Sequence, residues 1–214
     1  MSDFAYRLVY GLCYPAAWIS SRPVVLHAER AARKGGYILA ANHLSPFDVA
    51  LMIRHTPRHL DFMSIVEVKS NPVVYQFYKW MNAFFIDRRR SDPAGARLAL
   101  ERLQRGRVVA MFPEAQIRSE QMSVINGGTL KPGVGHLAQS AGAPIVPCVI
   151  LGSAQYWRAT SWLPWRRTRY GLIYGDPIFC ASELSKPEAR IRLLNELRAA
   201  FMQLTAELKF AMEL

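Results

Sequence analysis

A histidine and an aspartate five positions apart, His43 and Asp48, are where the chemistry of this sequence begins. Imidazole is the side chain best suited to take a proton from a hydroxyl near neutral pH. A neighbouring carboxylate can fix its tautomer and stabilise the imidazolium. Both residues follow YILAA (37–41), an apolar run that the Gly35-Gly36 break sets off as a buried strand. Ser45-Pro46 reads as a helix start, with Ser45 as N-cap and Pro46 at the first helical position. Asp48 then falls in the first turn, from where its carboxylate can face back toward the loop of His43. The same letters also spell a simple cap, Ser45-x-x-Asp48, in which His43 is an incidental loop residue. Spacing alone leaves both readings open.

The elements that must position this pair follow from apolar patterning. Segments 61–66 (DFMSIV), 83–87 (AFFID), 107–112 (RVVAMF), 144–151 (PIVPCVIL) and 170–175 (YGLIYG) read as further strands. Helices are expected over 71–81, from Asp92-Pro93 to the Gly106 stop, and over 131–142. A last helix opens at a Ser185-Lys-Pro-Glu188 capping box. It places Ile191, Leu194, Leu197, Phe201, Leu204, Leu208 and Met212 on a packing stripe. Strands alternating with helices imply an α/β fold with a mixed, mainly parallel central sheet flanked by helices. In such sheets ligands bind beyond the strand C-termini, where Asn42-His43 and Pro113-Glu114 both fall.

Composition narrows the class. The chain has 214 residues, 51% of them apolar, and a net charge of +11. That is enough to bury one core and too apolar for disorder. The charge belongs to the body of the chain, because residues 181–214 hold five basic and five acidic side chains. Such a balance points to an anionic partner: nucleic acid, a membrane surface or an acidic substrate. Residues 156–170 carry three tryptophans and four arginines with no acidic residue. Indole rings favour the headgroup level of a bilayer, and arginines are attracted to anionic lipid. We expect contact with an anionic membrane surface there, and no nucleic acid. Residues 1–22 form an N-terminal amphipathic segment, with Tyr6, Tyr10, Tyr14 and Trp18, that packs on the core or lies in the interface. Residues 23–214 form the single domain. No run of 18 apolar residues is present, so a conventional spanning helix is not expected. Cys13, Cys148 and Cys180 lack disulfide or zinc spacing, which implies a reducing compartment and no metal.

Other chemistries fit poorly. The nearest approach to a GxSxG elbow, Gly152-Ser153-Ala154, lacks glycines in register. The Gly133-Val-Gly135 stretch follows Lys131-Pro132, not a strand, and reads as a helix start instead of a dinucleotide fingerprint. His27, His55, His59 and His136 have no ligand spacing. Within Arg88-Arg89-Arg90, the second and third arginines read as a solvated turn.

The motifs gain weight as an ordered set. NHLSPFD (42–48), NAFFIDR (82–88), FPEAQIRS (112–119) and PIVP (144–147) resemble the four motifs of the glycerolipid acyltransferase family. The first, NHxSxxD, is matched at all four specified residues. The second is matched at Phe85, Ile86 and Arg88, with Asn82 where glycine is common. The third is matched at Phe112, Pro113 and Glu114, with Ala115 in place of its glycine, and the fourth at Pro147. The resemblance covers residues 36–176. It implies acyl transfer without a covalent acyl-enzyme: His43 as general base and Asp48 as its orienting partner. It assigns Arg88, Glu114 and Arg118 to the acceptor's polar head, and Asn42 to the loop or the developing oxyanion. It further implies acyl-CoA or acyl carrier protein as donor, with no cofactor, and a lysophospholipid acceptor, lysophosphatidic acid first. The implied place is the cytoplasmic face of a membrane, as a peripheral or monotopic protein. Ala115 and the shifted Arg118 leave a second expectation, a decayed site on a basic membrane-binding or nucleic-acid-binding module.

Overall fold

The computed structural model describes residue 11 and residues 19–214, except 88, 90, 91, 164 and 166. The described strands are β1 (Ser21–Leu26), β2 (Tyr37–Ala41), β3 (Leu60–Ile65), β4 (Phe84–Ile86), β5 (Val108–Met111), β6 (Ile145–Leu151) and β7 (Thr168–Tyr174). They form one seven-stranded sheet in the order β1-β7-β6-β2-β5-β3-β4. Neighbours are parallel except for the antiparallel pair β6 and β7. The α-helices among the described residues are α1 (Asp48–His55), α2 (Pro72–Trp80), α3 (Pro93–Gln104), α4 (Gly133–Ala141) and α5 (Lys186–Ala211). This is the expected mixed, mainly parallel sheet between helices.

Both faces of the sheet are covered, which is why its central strands read as unbroken apolar runs. On one face Ile38, Ala40, Val109 and Ile145 pack with Leu103 of α3, Leu137 of α4, and Leu197 and Phe201 of α5. On the other, Tyr37, Leu39, Ala41, Val108 and Cys148 pack with Val49, Met52 and Ile53 of α1. Gly36 lets the chain enter β2 beneath α3, since a Cβ there would lie 2.0 Å from the Leu103 carbonyl oxygen. Asp92 caps α3 as expected, its carboxylate accepting from Gly95 N at 2.9 Å. That bond and a second from Asp87 N hold the Asp92 carboxyl below its ordinary range.

Four local expectations differ from the structure. β1 was not anticipated, because Pro23 interrupts its pattern; it pairs only with β7, an edge where proline is tolerated. Ser21 and Arg22, expected in the N-terminal segment, therefore belong to the sheet. The expectation for residues 1–10 and 12–18 lies outside the described residues, and no described helix is long and apolar enough to cross a membrane. Helix α1 begins at Asp48, not after Ser45; Ser45 Oγ accepts from Phe47 N in a turn (3.1 Å) and caps nothing. In α5 the stripe runs back from Leu197 through Leu193 to Ala189, each four residues apart. Ile191 lies on the opposite face and is 62% exposed.

A polar cluster ties α1 to the β1–β7 edge. Arg54 Nη1 donates to Ser21 Oγ (2.7 Å) and to Tyr170 Oη (2.9 Å), and His55 Nε2 shares a hydrogen bond with Tyr170 Oη (2.9 Å). Burial, reinforced by the Arg54 charge, lowers the His55 pKa to about 4. Below its ordinary value the unfolded chain binds a proton that the folded chain refuses, so stability falls as pH drops from about 6.5 to about 4. The loss amounts to about 2–3 kcal/mol. Urea midpoints at pH 7.5 and 4.5 should show a smaller difference for His55→Gln than for the wild type; equal differences would contradict this assignment.

Candidate active site

The loop from β2 to α1 is organised around one carboxylate. Asp48 is fully buried, and its Oδ2 accepts from Leu44 N (2.8 Å), Ser45 N (2.9 Å) and His43 Nδ1 (2.9 Å). A carboxylate is acceptor-only, so His43 carries its proton on Nδ1 and presents the lone pair of Nε2 outward. The imidazole stacks on Phe112, with ring centroids 3.9 Å apart and planes 10° apart. Only 15% of the His43 side chain is exposed. Its plane, tautomer and reach are thus fixed before any substrate arrives.

Asn42, expected to support the loop or the developing oxyanion and so to contact substrate, is fully buried and pairs with one backbone unit. Its Nδ2 donates to Ile150 O (2.9 Å) and its Oδ1 accepts from Ile150 N (2.7 Å). The side chain continues the β2–β6 ladder where β2 turns away, so it supports the loop from inside.

Glu114, expected at the acceptor's polar head, is 1% exposed. Its Oε2 accepts from His43 N (2.7 Å), and its Oε1 from Ser123 Oγ (2.5 Å) and Val124 N (2.6 Å). Both oxygens are spent on internal donors, and the carboxylate ties β5's loop to the residue carrying the imidazole. Arg118 does reach the site: its backbone N–H donates to His43 O (2.8 Å), and its half-buried guanidinium faces the Gln116 amide. Arg88 lies outside the described residues. His43 is therefore gripped through its N–H by Glu114, through its carbonyl by Arg118 and through Nδ1 by Asp48. Asp48, Glu114 and Arg118 are brought together; Asn42 lies behind them.

Two unusual residues explain themselves. Ala115 has φ +60° and Asn82 φ +57°, both left-handed. These are the two positions where the motifs have glycine, and the backbone retains the conformation that glycine would favour. Asparagine tolerates it and alanine does so at a cost. Sequence reasoning missed Phe112 as the platform under the imidazole, although it stood in the third motif. It also missed Ser123 and Val124, which no local pattern announces. Among the described residues no group of three His, Cys, Asp or Glu side chains converges as metal ligands would.

A histidine oriented by a buried aspartate, set at the carboxyl edge of a mainly parallel sheet, is the arrangement that an α/β enzyme of the general-base type would use. The chain belongs to the Acyltransferase family, whose model matches residues 22–151. It is 27% identical to a Mycoplasma genitalium protein named "Probable 1-acyl-sn-glycerol-3-phosphate acyltransferase", over 71% of this chain and 57% of that one. It is 28% identical to the 1-acyl-sn-glycerol-3-phosphate acyltransferase of Limnanthes douglasii, over 66% of this chain and 50% of that one. The chain thus spans about half the length of the curated relatives it matches. In fold it resembles the crystal structure of the 1-acyl-sn-glycerophosphate (LPA) acyltransferase PlsC from Thermotoga maritima. That match has a TM-score of 0.67 at 22% identity and covers 89% of this chain and 75% of that one.

The left-handed alanine gives a stability test. Ala115→Gly relieves about 1–2 kcal/mol of backbone strain and returns about 0.4–1 kcal/mol through the freer unfolded chain. Ala115 is exposed, so no packing is lost. The net gain should be about 1 kcal/mol, seen as a rise in Tm of about 2–4 °C. An unchanged or lower Tm counts against the strain.

Proposed function

We propose that this protein transfers a fatty acyl group from a thioester, acyl-CoA or acyl carrier protein, to the hydroxyl of a lysophospholipid, with 1-acylglycerol 3-phosphate the first acceptor to test. The observation that carries the reading is the His43–Asp48 pair with Nε2 left as the outward base. The acceptor hydroxyl gives its proton to Nε2 as its oxygen attacks the thioester carbonyl, and Asp48 stabilises the imidazolium that forms. Collapse of the tetrahedral species expels the thiolate, which His43 reprotonates. No group on the protein is acylated. The names of the relatives support the acceptor class, and Arg118, whose backbone N–H holds the His43 carbonyl, brings a cation to the same loop, which fits an anionic head.

The decayed-site reading loses its main support. Ala115 keeps the left-handed turn of the motif, and the His43–Asp48 hydrogen bond is formed. We place the enzyme on the cytoplasmic face of a membrane, where its lipid acceptor resides, with the aromatic and basic surface of residues 156–170 toward anionic lipid. In that reading nucleic acid is no partner, and the reaction calls for no cofactor beyond the donor.

Removing the base should cost most of the rate. His43→Ala is expected to lower kcat by about 10²–10⁴-fold with Tm preserved. The check is mass-spectrometric detection of product from purified protein, acyl thioester and a lysolipid panel. Wild-type turnover in that variant would rule the mechanism out. Glu114→Gln separates holding the loop from holding the acceptor, because its amide N–H must face one of three internal donors. It should destabilise the fold by about 1–3 kcal/mol and lower kcat while KM for the acceptor stays near the wild-type value. A raised KM with kcat intact would return Glu114 to the acceptor.

A further inference from the structure

The connection from β6 to β7 folds into a polar pocket that the His43 chemistry does not use. Gln155, Arg158, Ser161, Arg167, Thr168 and Arg169 line a cavity of about 330 Å³. Its wall is cross-linked from within. Ser161 Oγ donates to Gln155 O (2.7 Å), Thr168 Oγ1 to Ser161 O (2.9 Å), and Gln155 Nε2 to Arg169 O (3.2 Å). These bonds engage the two hydroxyls and the Gln155 amide nitrogen in the frame, and the three arginines bring positive charge to the lining. Among the described residues no carboxylate pairs with Arg158 or Arg167, and Arg169 has one long contact, 3.6 Å, to exposed Glu213. Three like charges around one cavity repel each other unless an anion sits among them. Arg167 is also held at φ +39°, a left-handed backbone that a non-glycine residue adopts at a cost.

The pocket lies at the edge where the chemistry happens. β7 runs against β6, so its first residue, Thr168, shares an edge with the end of β6 and the His43 loop. Tyr156 and Trp157 reach that loop directly, with ring centroids 6.0 and 5.9 Å from Phe47, the neighbour of Asp48.

We propose that Arg158, Arg167 and Arg169 form a binding subsite for a phosphate ester, distinct from the His43 centre. Planar guanidinium forks match phosphate oxygens two at a time. Trp157 and Trp165, 64% and 77% exposed, stand on the same stretch, suited to stack on a base or to sit at headgroup depth. Two sources carry this chemistry: the phosphates of a soluble carrier such as coenzyme A, and the headgroup of an anionic phospholipid. The first source rests on the proposed reaction; the phosphate subsite itself does not, because binding is read without turnover.

The test compares the full-length wild type with the double variant Arg158→Gln/Arg167→Asn. Both positions are exposed, and asparagine accepts the left-handed backbone, so Tm should be unchanged. Free coenzyme A is titrated calorimetrically. Vesicles of phosphatidylcholine, with and without phosphatidylglycerol, are co-sedimented. At least one phosphate probe should bind the wild type, weaken with added salt, and lose about tenfold or more affinity in the variant. Loss toward coenzyme A alone assigns the carrier, loss toward phosphatidylglycerol vesicles alone assigns the lipid, and loss toward both a site open to either. A wild type that binds neither, or a variant within twofold of it on both, overturns the subsite. Coenzyme A binding through these arginines in a protein with no acyl transfer keeps the subsite and removes the proposed reaction.

Discussion

One oxygen atom organises the active edge of this protein. Asp48 Oδ2 gathers two backbone N–H groups and one imidazole N–H, closing residues 43–48 into a ring that cannot flex without breaking several bonds at once. Charge-assisted bonds of this kind are about twice as strong as neutral ones. The carboxylate reaches back from the first turn of α1, so the helix itself is the arm that carries it. Burial of Val49, Met52 and Ile53 beneath that helix anchors the arm to the sheet. Packing and the geometry of the His43–Asp48 pair are therefore one constraint: a shift of α1 would move the tautomer-fixing group as well as the core.

A second carboxylate applies the same logic from the neighbouring strand. Glu114 holds the N–H of the residue whose side chain Asp48 holds, and its other oxygen is pinned by Ser123 and Val124. The third motif thus grips the first through the main chain, and β2 and β5, adjacent and parallel, bring the two within reach. Two buried carboxylates are costly to desolvate. Glu114 has donors at both oxygens, and the Asp48 Oδ2 has three. Behind them Asn42 replaces a ladder step to Ile150, which fixes where β2 ends and hence where His43 begins.

The sequence made the architecture legible wherever a pattern is local. Apolar runs bounded by glycine and proline marked six of the strands, and Asp92-Pro93 and Ser185-Glu188 marked two helix starts that the structure keeps. The His43–Asp48 contact was legible because its partners are only five residues apart, one on the loop after β2 and one at the start of α1. What stayed hidden was direction. The resemblance assigns Glu114 to the acceptor's polar head and Asn42 to the loop or the oxyanion, yet the partners they take, Ile150 and Ser123–Val124, come from other strands and loops. No spacing in the motif states whether a side chain turns toward solvent or toward a backbone amide 108 residues away. Ser45 misled for a related reason: a serine before proline resembles a cap, but the turn through Phe47 lets Asp48 do the reaching instead.

The reversal of β7 has the widest consequence for how charge is used. If β7 ran parallel to β6, its connection would have to cross the sheet and would deliver residues 152–167 to the far edge. Because β7 is antiparallel, the connection stays beside the ends of β6 and β2. β1 is parallel to β7 and so begins at that same edge, where Thr168 N donates to Ser20 O at 2.8 Å. The aromatic and arginine-rich stretch is thereby placed next to the base by topology alone. Elsewhere arginine is consumed inside the fold, as at Asp61, which receives both Arg107 and Arg102. The net charge of +11 is therefore not a uniform coat. Part of it stabilises buried acids and carbonyls far from any ligand. Among the described residues around 158–169, Arg158 and Arg167 have no carboxylate partner and Arg169 has only exposed Glu213, so positive charge gathers at the edge where β2 and β6 end.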